Sequence, residues 1–126
     1  MRLWHVDLIH KLPRQQLLCQ WREGWCAIGV LEKHGEINHS TVNYINEYPK
    51  YFLYAYGLVV ADEMMSRGYK PNEDKLDKLI TPGAVEKYND FMDDGSTIYP
   101  EHNDAYYREC IHNLLGKGID LTHEQE

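Results

Sequence analysis

The spacing of apolar residues predicts a long amphipathic helix near the start of the chain. Pro13 suits the first turn of a helix, where its missing N–H costs nothing, and a helical pattern follows it to about Leu31. At 100° per residue, apolar and polar side chains separate onto opposite faces of this helix. The predicted apolar stripe is Leu17, Leu18, Trp21, Trp25 and Ile28, and the predicted polar face is Gln15, Cys19, Arg22, Glu23 and Cys26. We therefore expect Glu23 to face away from the core.

The middle of the chain predicts one buried helix between irregular connections. Residues 33–48 are rich in polar residues without a sustained period, which indicates a loop with one helical turn. Pro49 then opens a helix that is apolar nearly all round and is closed by Gly68 as its cap, so it should be central and buried. Residues 70–102 contain three prolines and two glycines, a pattern that favours connections with short helical pieces.

A third main helix is predicted near the end of the chain. Asn103 or Asp104 is a fitting N-cap, the helix should run to about Leu115, and Gly116 should lie just beyond its end. Its candidate packing positions are Tyr106, Tyr107, Cys110, Ile111 and Leu114. The length of 126 residues suits a single core. The sequence thus predicts an all-α fold, with residues 1–126 forming a single compact domain of about three main helices and long irregular connections.

Composition narrows the cellular setting. No apolar run approaches the roughly 20 residues needed to span a bilayer, and charged residues stand where a signal peptide needs its apolar stretch. We therefore expect a cytoplasmic protein with no membrane partner. Cys19, Cys26 and Cys110 include no C-x-x-C pair, which favours reduced thiols over a disulfide framework or a zinc site.

The charge is unevenly distributed along the chain. The formal net charge of −7 argues against a surface that binds nucleic acid all over. Residues 1–34, however, hold five Lys or Arg residues against three Asp or Glu residues. This asymmetry permits one basic working face on an acidic body, and the alternative is that the charges merely solvate the helices.

Motifs in the first helix resemble a known family. Leu12 to Leu17 reads Leu-x-x-Gln-x-Leu, Arg22-Glu23 follows, and Gly29 and Lys33-His34 complete a pattern without gaps. Further segments are Glu63-x-x-x-Arg-Gly-Tyr69 and, more loosely, Tyr99-Pro-Glu-His102. Together these segments resemble the bacteriophage pyrimidine dimer DNA glycosylase (endonuclease V) family. The opening Met-Arg-Leu-Trp-His and the string His39-Ser-Thr-Val-Asn43 are similar to a bacterial branch of it.

The resemblance implies a metal-independent DNA glycosylase with AP lyase activity and no cofactor. In that family the free α-amine attacks C1′ of a damaged or abasic nucleotide and forms a Schiff base that expels the base. β-Elimination then cuts the strand. An α-amine suits this role because its ordinary pKa of roughly 7.7–8.0 leaves a neutral fraction at neutral pH. The implied partner is damaged or abasic double-stranded DNA, and we expect a monomer.

The catalytic residues implied by the resemblance are Met1, Arg2 and Glu23. The nucleophile would be the amine of Met1, because the bulky Arg2 that follows ordinarily blocks removal of the initiator methionine. If processing exposed Arg2, its amine would serve instead. Glu23 matches the family's catalytic carboxylate, which can stabilise positive charge developing at C1′ and move protons.

The resemblance also implies DNA contacts. Arg22 matches a DNA-contacting arginine, whose guanidinium can hold a phosphate, and Gln15, Lys33 and His34 match polar contacts. Three features depart from the family pattern. Gln16 stands in place of a histidine, Cys26 stands in place of a second DNA-binding arginine, and residues 120–126 form an acidic C-terminal stretch.

Two other functions remain open from the residues. The acidic charge and the missing arginine are compatible with a non-catalytic module that binds nucleic acid or protein on the same fold. A metal-dependent nucleotide phosphohydrolase would need ligands from the histidines and acids, but no H-x-x-x-H or H-E-x-x-H motif occurs, so surface or hydrogen-bonded roles are expected. The residues in question are His5, His10, His34, His39, Asp62, Glu63, Glu101, His102 and Asp104.

Eight of the ten tyrosines lie within residues 44–56 and 99–107. Such rings can stack on bases that are flipped out of a duplex. At helical spacing, however, most of them are expected to be core residues whose hydroxyls reach the rim.

Overall fold

A computed structural model describes residues 1–121, and residues 122–126 of the acidic C-terminal stretch lie outside the described residues. The elements are a 3-10 helix at Val6–Lys11, α1 at Arg14–His34, a second 3-10 helix at Asn43–Glu47, α2 at Lys50–Ser66, α3 at Glu73–Leu79, α4 at Pro82–Asp94 and α5 at Asp104–Gly116. No strand occurs within residues 1–121, and the predicted all-α fold is confirmed.

Helix α1 begins directly after Pro13 and ends at His34, three residues later than predicted. Gly35 ends it by adopting a left-handed conformation with φ of 80°, from which its N–H donates to the Leu31 carbonyl at 2.8 Å. Glycine suits this position because it carries no Cβ to clash. The helix therefore extends into the segment that was expected to be a loop.

The buried face of α1 is rotated from the predicted stripe. It comprises Leu17, Gln20, Gly24, Ala27, Ile28 and Leu31. Leu17 and Ile28 were predicted correctly, whereas Trp21 and Trp25 are only half-buried and flank a crevice between α1 and α2. Tryptophan is too large to be fully buried at most positions, so the small Gly24 occupies the interface instead. As a consequence Glu23 lies outside the buried face, as predicted, but it is half-buried beside Gln20 rather than fully exposed.

Helix α2 is the central element, as predicted. It packs against α1, α3, α4 and the first 3-10 helix. Its buried residues include Phe52, Tyr56 and Met64. The helix ends at Ser66, and Gly68 with φ of 87° turns the chain so that the Tyr69 N–H donates to the Met64 carbonyl at 2.9 Å.

The segment predicted to hold short helical pieces contains α3 and α4. Side chains cap both: Asn72 accepts from the Lys75 N–H at 3.0 Å, and Thr81 accepts from the Ala84 N–H at 3.4 Å. With Pro82 in its first turn, α4 reaches 13 residues, which equals the length of α5. It packs along α2.

Helix α5 begins where the sequence predicted. Asn103 is the N-cap and accepts from the Tyr106 N–H at 2.9 Å. Gly116, expected just beyond the end, is the last residue of the helix. The reversal falls on Gly118, whose φ is 84°, and the Ile119 N–H then donates to the Leu114 carbonyl at 2.9 Å. A glycine two residues further along thus provides the left-handed position that the end of the helix requires.

The first twelve residues enter the core, which the sequence pattern did not predict. Leu3, Leu8, Ile9 and Leu12 are each no more than 1% exposed, and they pack in the same cluster as the buried faces of α1, α2 and α5. This burial holds the start of the chain against α1. Across residues 1–121 the structure contains no helix of the length and apolar character needed to cross a bilayer.

Most tyrosines take the predicted structural role. Tyr56 and Tyr99 are fully buried, and Tyr44, Tyr48 and Tyr106 are half-buried against the core. These rings and that of Phe52 contact one another or the histidines at centroid distances near 5–6 Å.

Candidate active site

An open cleft of about 450 Å³ surrounds the start of the chain. Its walls come from the N-terminal residues, one face of α1, the loop that contains His39 and Thr41, and the C-terminal part of α5. The described residues that line it are Met1, Arg2, Trp4, Gln15, Gln16, Cys19, Gln20, Glu23, His39, Thr41, Asn113 and Lys117. The three predicted catalytic residues, Met1, Arg2 and Glu23, therefore share one cleft.

Gln20 joins the N-terminal segment to α1. This side chain is 1% exposed, and its amide nitrogen donates to the Arg2 carbonyl at 3.0 Å and to Glu23 Oε2 at 3.3 Å. Its amide oxygen accepts from the Trp4 N–H at 2.6 Å. The Tyr56 hydroxyl lies 2.6 Å from both the same oxygen and the Trp4 carbonyl. Gln20 thus fixes the backbone of residues 2–4 relative to the Glu23 carboxylate.

The backbone of Arg2 lies against Glu23. The Arg2 N–H donates to Glu23 Oε2 at 3.4 Å, which makes the second residue rather than the first the one that contacts the carboxylate. The Arg2 guanidinium pairs with Glu109 on α5 at 2.8 Å, and its carbon lies 5.9 Å from the Trp4 ring centroid and 5.8 Å from that of Tyr106. The residue is held at both its backbone and its side chain.

The α-amine of Met1 contacts a histidine that the sequence left without a role. The amine nitrogen lies 3.3 Å from His39 Nε2. Thr41 Oγ1 lies 2.9 Å from His39 Nδ1, and the Thr41 hydroxyl also donates to the Met1 carbonyl. The start of the chain is therefore held by the His39 loop on one side and by Gln20 on the other.

The cleft carries an excess of positive charge although the whole chain is acidic. Its described lining includes the Met1 ammonium, Arg2 and Lys117 against the carboxylate of Glu23, and the Arg2 guanidinium is paired with Glu109 on α5. Lys117 follows α5, so part of this charge comes from outside residues 1–34. An open cleft of this sign attracts a polyanion.

Two buried histidines support the N-terminal segment beneath the cleft. His102 Nδ1 accepts from the Val6 N–H at 3.2 Å, its Nε2 lies 2.8 Å from the Tyr44 hydroxyl, and its ring stacks on His5 at 5.4 Å. Burial, with a smaller contribution from His5, lowers the pKa of His102 to about 3. Burial also lowers the pKa of His5. The Tyr106 hydroxyl donates to the Leu3 carbonyl at 2.6 Å.

The histidines considered as metal ligands lie in separate parts of the structure. His5 and His102 are buried in the hydrogen-bonded layer just described, His39 contacts the amine, and His10 and His34 are exposed. Within the described residues, no three His, Cys, Asp or Glu side chains are grouped so that they could hold a metal ion. The predicted surface or hydrogen-bonded roles of these histidines agree with this arrangement.

The predicted DNA-contacting residues are only partly brought to the cleft. Gln15 lines it, and the exposed Arg22 lies at its rim, where the guanidinium donates to Cys19 Sγ at 3.1 Å. Lys33 and His34 are exposed in the last turn of α1. His34 lines a neighbouring depression together with Met1 and His39, whereas Lys33 lines neither hollow.

The two substitutions relative to the family pattern differ in position. Gln16 lines the cleft, so a glutamine in place of the family's histidine changes the site itself. Cys26 is exposed on α1 and is not among the described lining residues.

Several lining residues have little or no signature in the sequence. Gln20 has one, because it stands three residues before Glu23 and so shares its side of α1. His39 and Thr41 come from an irregular loop, and Asn113 and Lys117 come from the far end of the chain. No local pattern predicts that these distant residues meet Met1.

The fold and the cleft define an all-α protein whose first residues meet a helix carboxylate in an open, positively charged site. The chain belongs to the pyrimidine dimer DNA glycosylase family, because the model of that family matches residues 1–77, which is more than half of the chain. The predicted family is thus confirmed. The matched part contains Met1, Glu23 and His39 and excludes α5. The chain matches no curated protein and no solved structure.

Proposed function

We propose that this protein is a DNA glycosylase with AP lyase activity that uses the α-amine of Met1 as its nucleophile. The observation that carries the proposal is the placement of Met1 and Glu23 in one cleft, with the Arg2 N–H 3.4 Å from the Glu23 carboxylate. In the proposed reaction the neutral amine attacks C1′ of a damaged or abasic nucleotide. The resulting Schiff base allows β-elimination of the 3′ phosphate.

Glu23 acts on the sugar in this proposal. Its carboxylate contacts Arg2, the residue next to the amine-bearing Met1, and there a negative charge stabilises the positive charge that develops at C1′ as the glycosidic bond breaks. The bonds from Arg2 and Gln20 both reach Oε2, so this oxygen is held in place while the carboxylate remains at the cleft wall. Preorganised charge of this kind needs no rearrangement during the reaction.

The proposed substrate is double-stranded DNA that carries a pyrimidine dimer or an abasic site, bound by one copy of the chain. The Met1 ammonium, Lys117 and the Glu109-paired Arg2 provide the positive charge of the cleft, and the exposure of Arg22 at its rim supports a phosphate contact there. Gln15 on the wall offers an amide to the nucleic acid, and Lys33 and His34 extend the exposed polar surface to the end of α1.

Borohydride trapping tests this function directly. Incubation of the protein with a duplex containing an abasic site, in the presence of borohydride, should produce a covalent adduct that peptide mapping assigns to Met1. A protein whose α-amine is acetylated should give none. If the native chain gives no adduct while its circular dichroism shows the helical fold, the lyase proposal is wrong and a binding role on the same fold gains support.

Glu23→Gln provides the second arm of the experiment. The amide oxygen of glutamine can still accept from Arg2 and Gln20, so the fold should be retained, whereas the loss of negative charge should slow trapping by about 100-fold or more. The matched control is Glu32→Gln, which removes an exposed carboxylate from the same helix and should leave the trapping rate unchanged. Equal rates for Glu23→Gln and the native chain would exclude the proposed role of Glu23.

A further inference from the structure

The contact between His39 and the Met1 amine has a defined direction. Thr41 has a single hydroxyl proton, and that proton is directed to the Met1 carbonyl, which can only accept. The Thr41 oxygen 2.9 Å from His39 Nδ1 is therefore an acceptor, so Nδ1 carries the proton of the neutral ring. His39 Nε2 is then unprotonated and directs its lone pair to the Met1 nitrogen at 3.3 Å.

This ring of contacts leaves His39 Nε2 able to act as a base. It runs from the Met1 carbonyl through the Thr41 hydroxyl and the His39 imidazole back to the Met1 amine, and with the imidazole neutral a single assignment of protons satisfies each member. An orienting hydrogen bond to one ring nitrogen commonly fixes which nitrogen of a histidine accepts a proton. Here the free nitrogen faces the atom that must lose protons for the chain to act as a nucleophile.

We propose that His39 is a catalytic base that takes a proton from the Met1 amine as it attacks the sugar. This inference rests on the proposed function. The lone pair of the Met1 nitrogen forms the bond to C1′. The electron pair of the broken bond leaves with the base of a damaged nucleotide, or moves onto the aldehyde oxygen of an abasic site. The nitrogen becomes positively charged, and one of its protons passes to His39 Nε2. Thr41 is a positioning residue that keeps this nitrogen unprotonated.

Glu23 is less well placed for this proton transfer. Its Oε2 already accepts from the Arg2 N–H and from the Gln20 amide, whereas the Met1 nitrogen lies 3.3 Å from His39 Nε2. The two residues have different roles: Glu23 stabilises positive charge on the sugar, and His39 receives the proton from the Met1 nitrogen. A carboxylate and an imidazole on opposite sides of the start of the chain can act on different atoms of the same reaction.

Chemical rescue tests the role of His39. His39→Ala should slow borohydride trapping at Met1 by about 100-fold, because a positioned base contributes on this order. Added imidazole should restore the rate in proportion to its concentration, and more basic imidazoles should restore it more. The matched control, His10→Ala, removes an exposed histidine outside the described cleft lining and should neither slow trapping nor respond to imidazole.

A pair of Thr41 variants tests the orienting contact. Thr41→Val removes the hydroxyl and should slow trapping on the order of 10-fold, whereas Thr41→Ser retains the hydroxyl and should react like the native chain. If the native chain is trapped and His39→Ala is trapped equally fast, the base role is wrong while the glycosylase proposal stands. A slow His39→Ala protein that no imidazole rescues would reduce His39 to a structural residue. Absence of trapping in the native chain would remove both proposals.

Discussion

At the scale of single residues, one buried amide determines how the N-terminal segment meets α1. Gln20 uses its donor on Arg2 and Glu23 and its acceptor on Trp4, while Tyr56 closes the arrangement from α2. Buried polar groups are costly unless they are paired, and this one is fully used. We therefore regard Gln20 as the positioning residue of the site.

Gln20→Glu should separate positioning from stability. The variant keeps a carboxyl oxygen that accepts from Trp4 and Tyr56. Its second oxygen replaces the amide nitrogen of Gln20, which donates to the Arg2 carbonyl and to the Glu23 carboxylate. We expect the free energy of unfolding to fall by about 1–3 kcal/mol and trapping to slow by about 100-fold, because the donor becomes a repelling acceptor. Urea titration and borohydride trapping measure the two effects.

Tyr56→Phe is the control for that variant. It removes one buried hydroxyl and should cost about 1 kcal/mol of stability, yet both donor bonds of Gln20 remain, so trapping should stay within a few-fold of the native rate. Similar losses of activity in both variants would mean that general stability, and not the Gln20 donor, governs the site.

At the scale of helices, the sequence predicted the framework but not the face of α1. Pro13 and Pro49 predicted the starts of α1 and α2, and Gly68 predicted the end of α2, because these residues act on the local backbone. The end of α1 lies three residues beyond the predicted Leu31. Periodicity placed Trp21 and Trp25 in the core and Glu23 outside it. The structure instead buries Gln20 and Gly24, since packing against α2 selects small residues and a satisfied amide. That selection depends on the residues of α2, and the periodicity of α1 alone carries no information about them.

The lining residues of the cleft could be predicted only where the sequence resembles the family motif or the family chemistry implies them. Glu23 and Gln15 came from the aligned helix and line the site, and Met1 came from the implied chemistry. His39 and Lys117 arrive through tertiary packing of a loop and of α5, and neither has a local signature. Contacts between distant segments are fixed by the whole core, so a pattern within one segment cannot indicate them.

The contact between α2 and α4 gives a prediction at this scale. A Cβ added at Gly83 would lie 2.8 Å from Cγ of the Tyr51 ring, closer than real contacts allow. Gly83→Ala should therefore force the Tyr51 ring or the backbone of α4 to shift and lower the free energy of unfolding by about 1–3 kcal/mol. Gly29→Ala, at an exposed position of α1 with open space around it, should instead raise that energy by about 0.5–1 kcal/mol. Thermal and urea unfolding compare the two, and a stabilised Gly83→Ala protein would contradict the close packing.

At the scale of the whole molecule, the site is a small positive region on an acidic protein. The net charge of −7 disfavours general adhesion to DNA, while the cations at the cleft attract the phosphates nearest the start of the chain. Such a distribution favours few phosphate contacts. The buried layer that includes His102 then holds the N-terminal segment against the rest of the core, so the integrity of the site depends on global folding.

Acid should weaken this layer, and the sign follows from the pKa of His102. The folded protein keeps His102 neutral down to a pKa of about 3, whereas an imidazole in the unfolded chain takes up a proton near pH 6.5. The unfolded state therefore binds more protons between these values, so the stability present above pH 6.5 is lost as the pH falls toward 3. One such group contributes about 1.4 kcal/mol per pH unit within this window.

His102→Asn isolates this contribution, because its side-chain oxygen can replace Nδ1 as the acceptor for the Val6 N–H but takes up no proton. The variant should be less stable at pH 7, since the ring contacts with His5 and Tyr106 are lost, yet its free energy of unfolding should fall less steeply below pH 6. Urea titrations from pH 7 to pH 4 give both slopes. His5, whose pKa burial also lowers, remains in both proteins, so part of the slope should persist in the variant. If the free energies of unfolding of the two proteins fall equally steeply with decreasing pH, the fold does not keep His102 neutral.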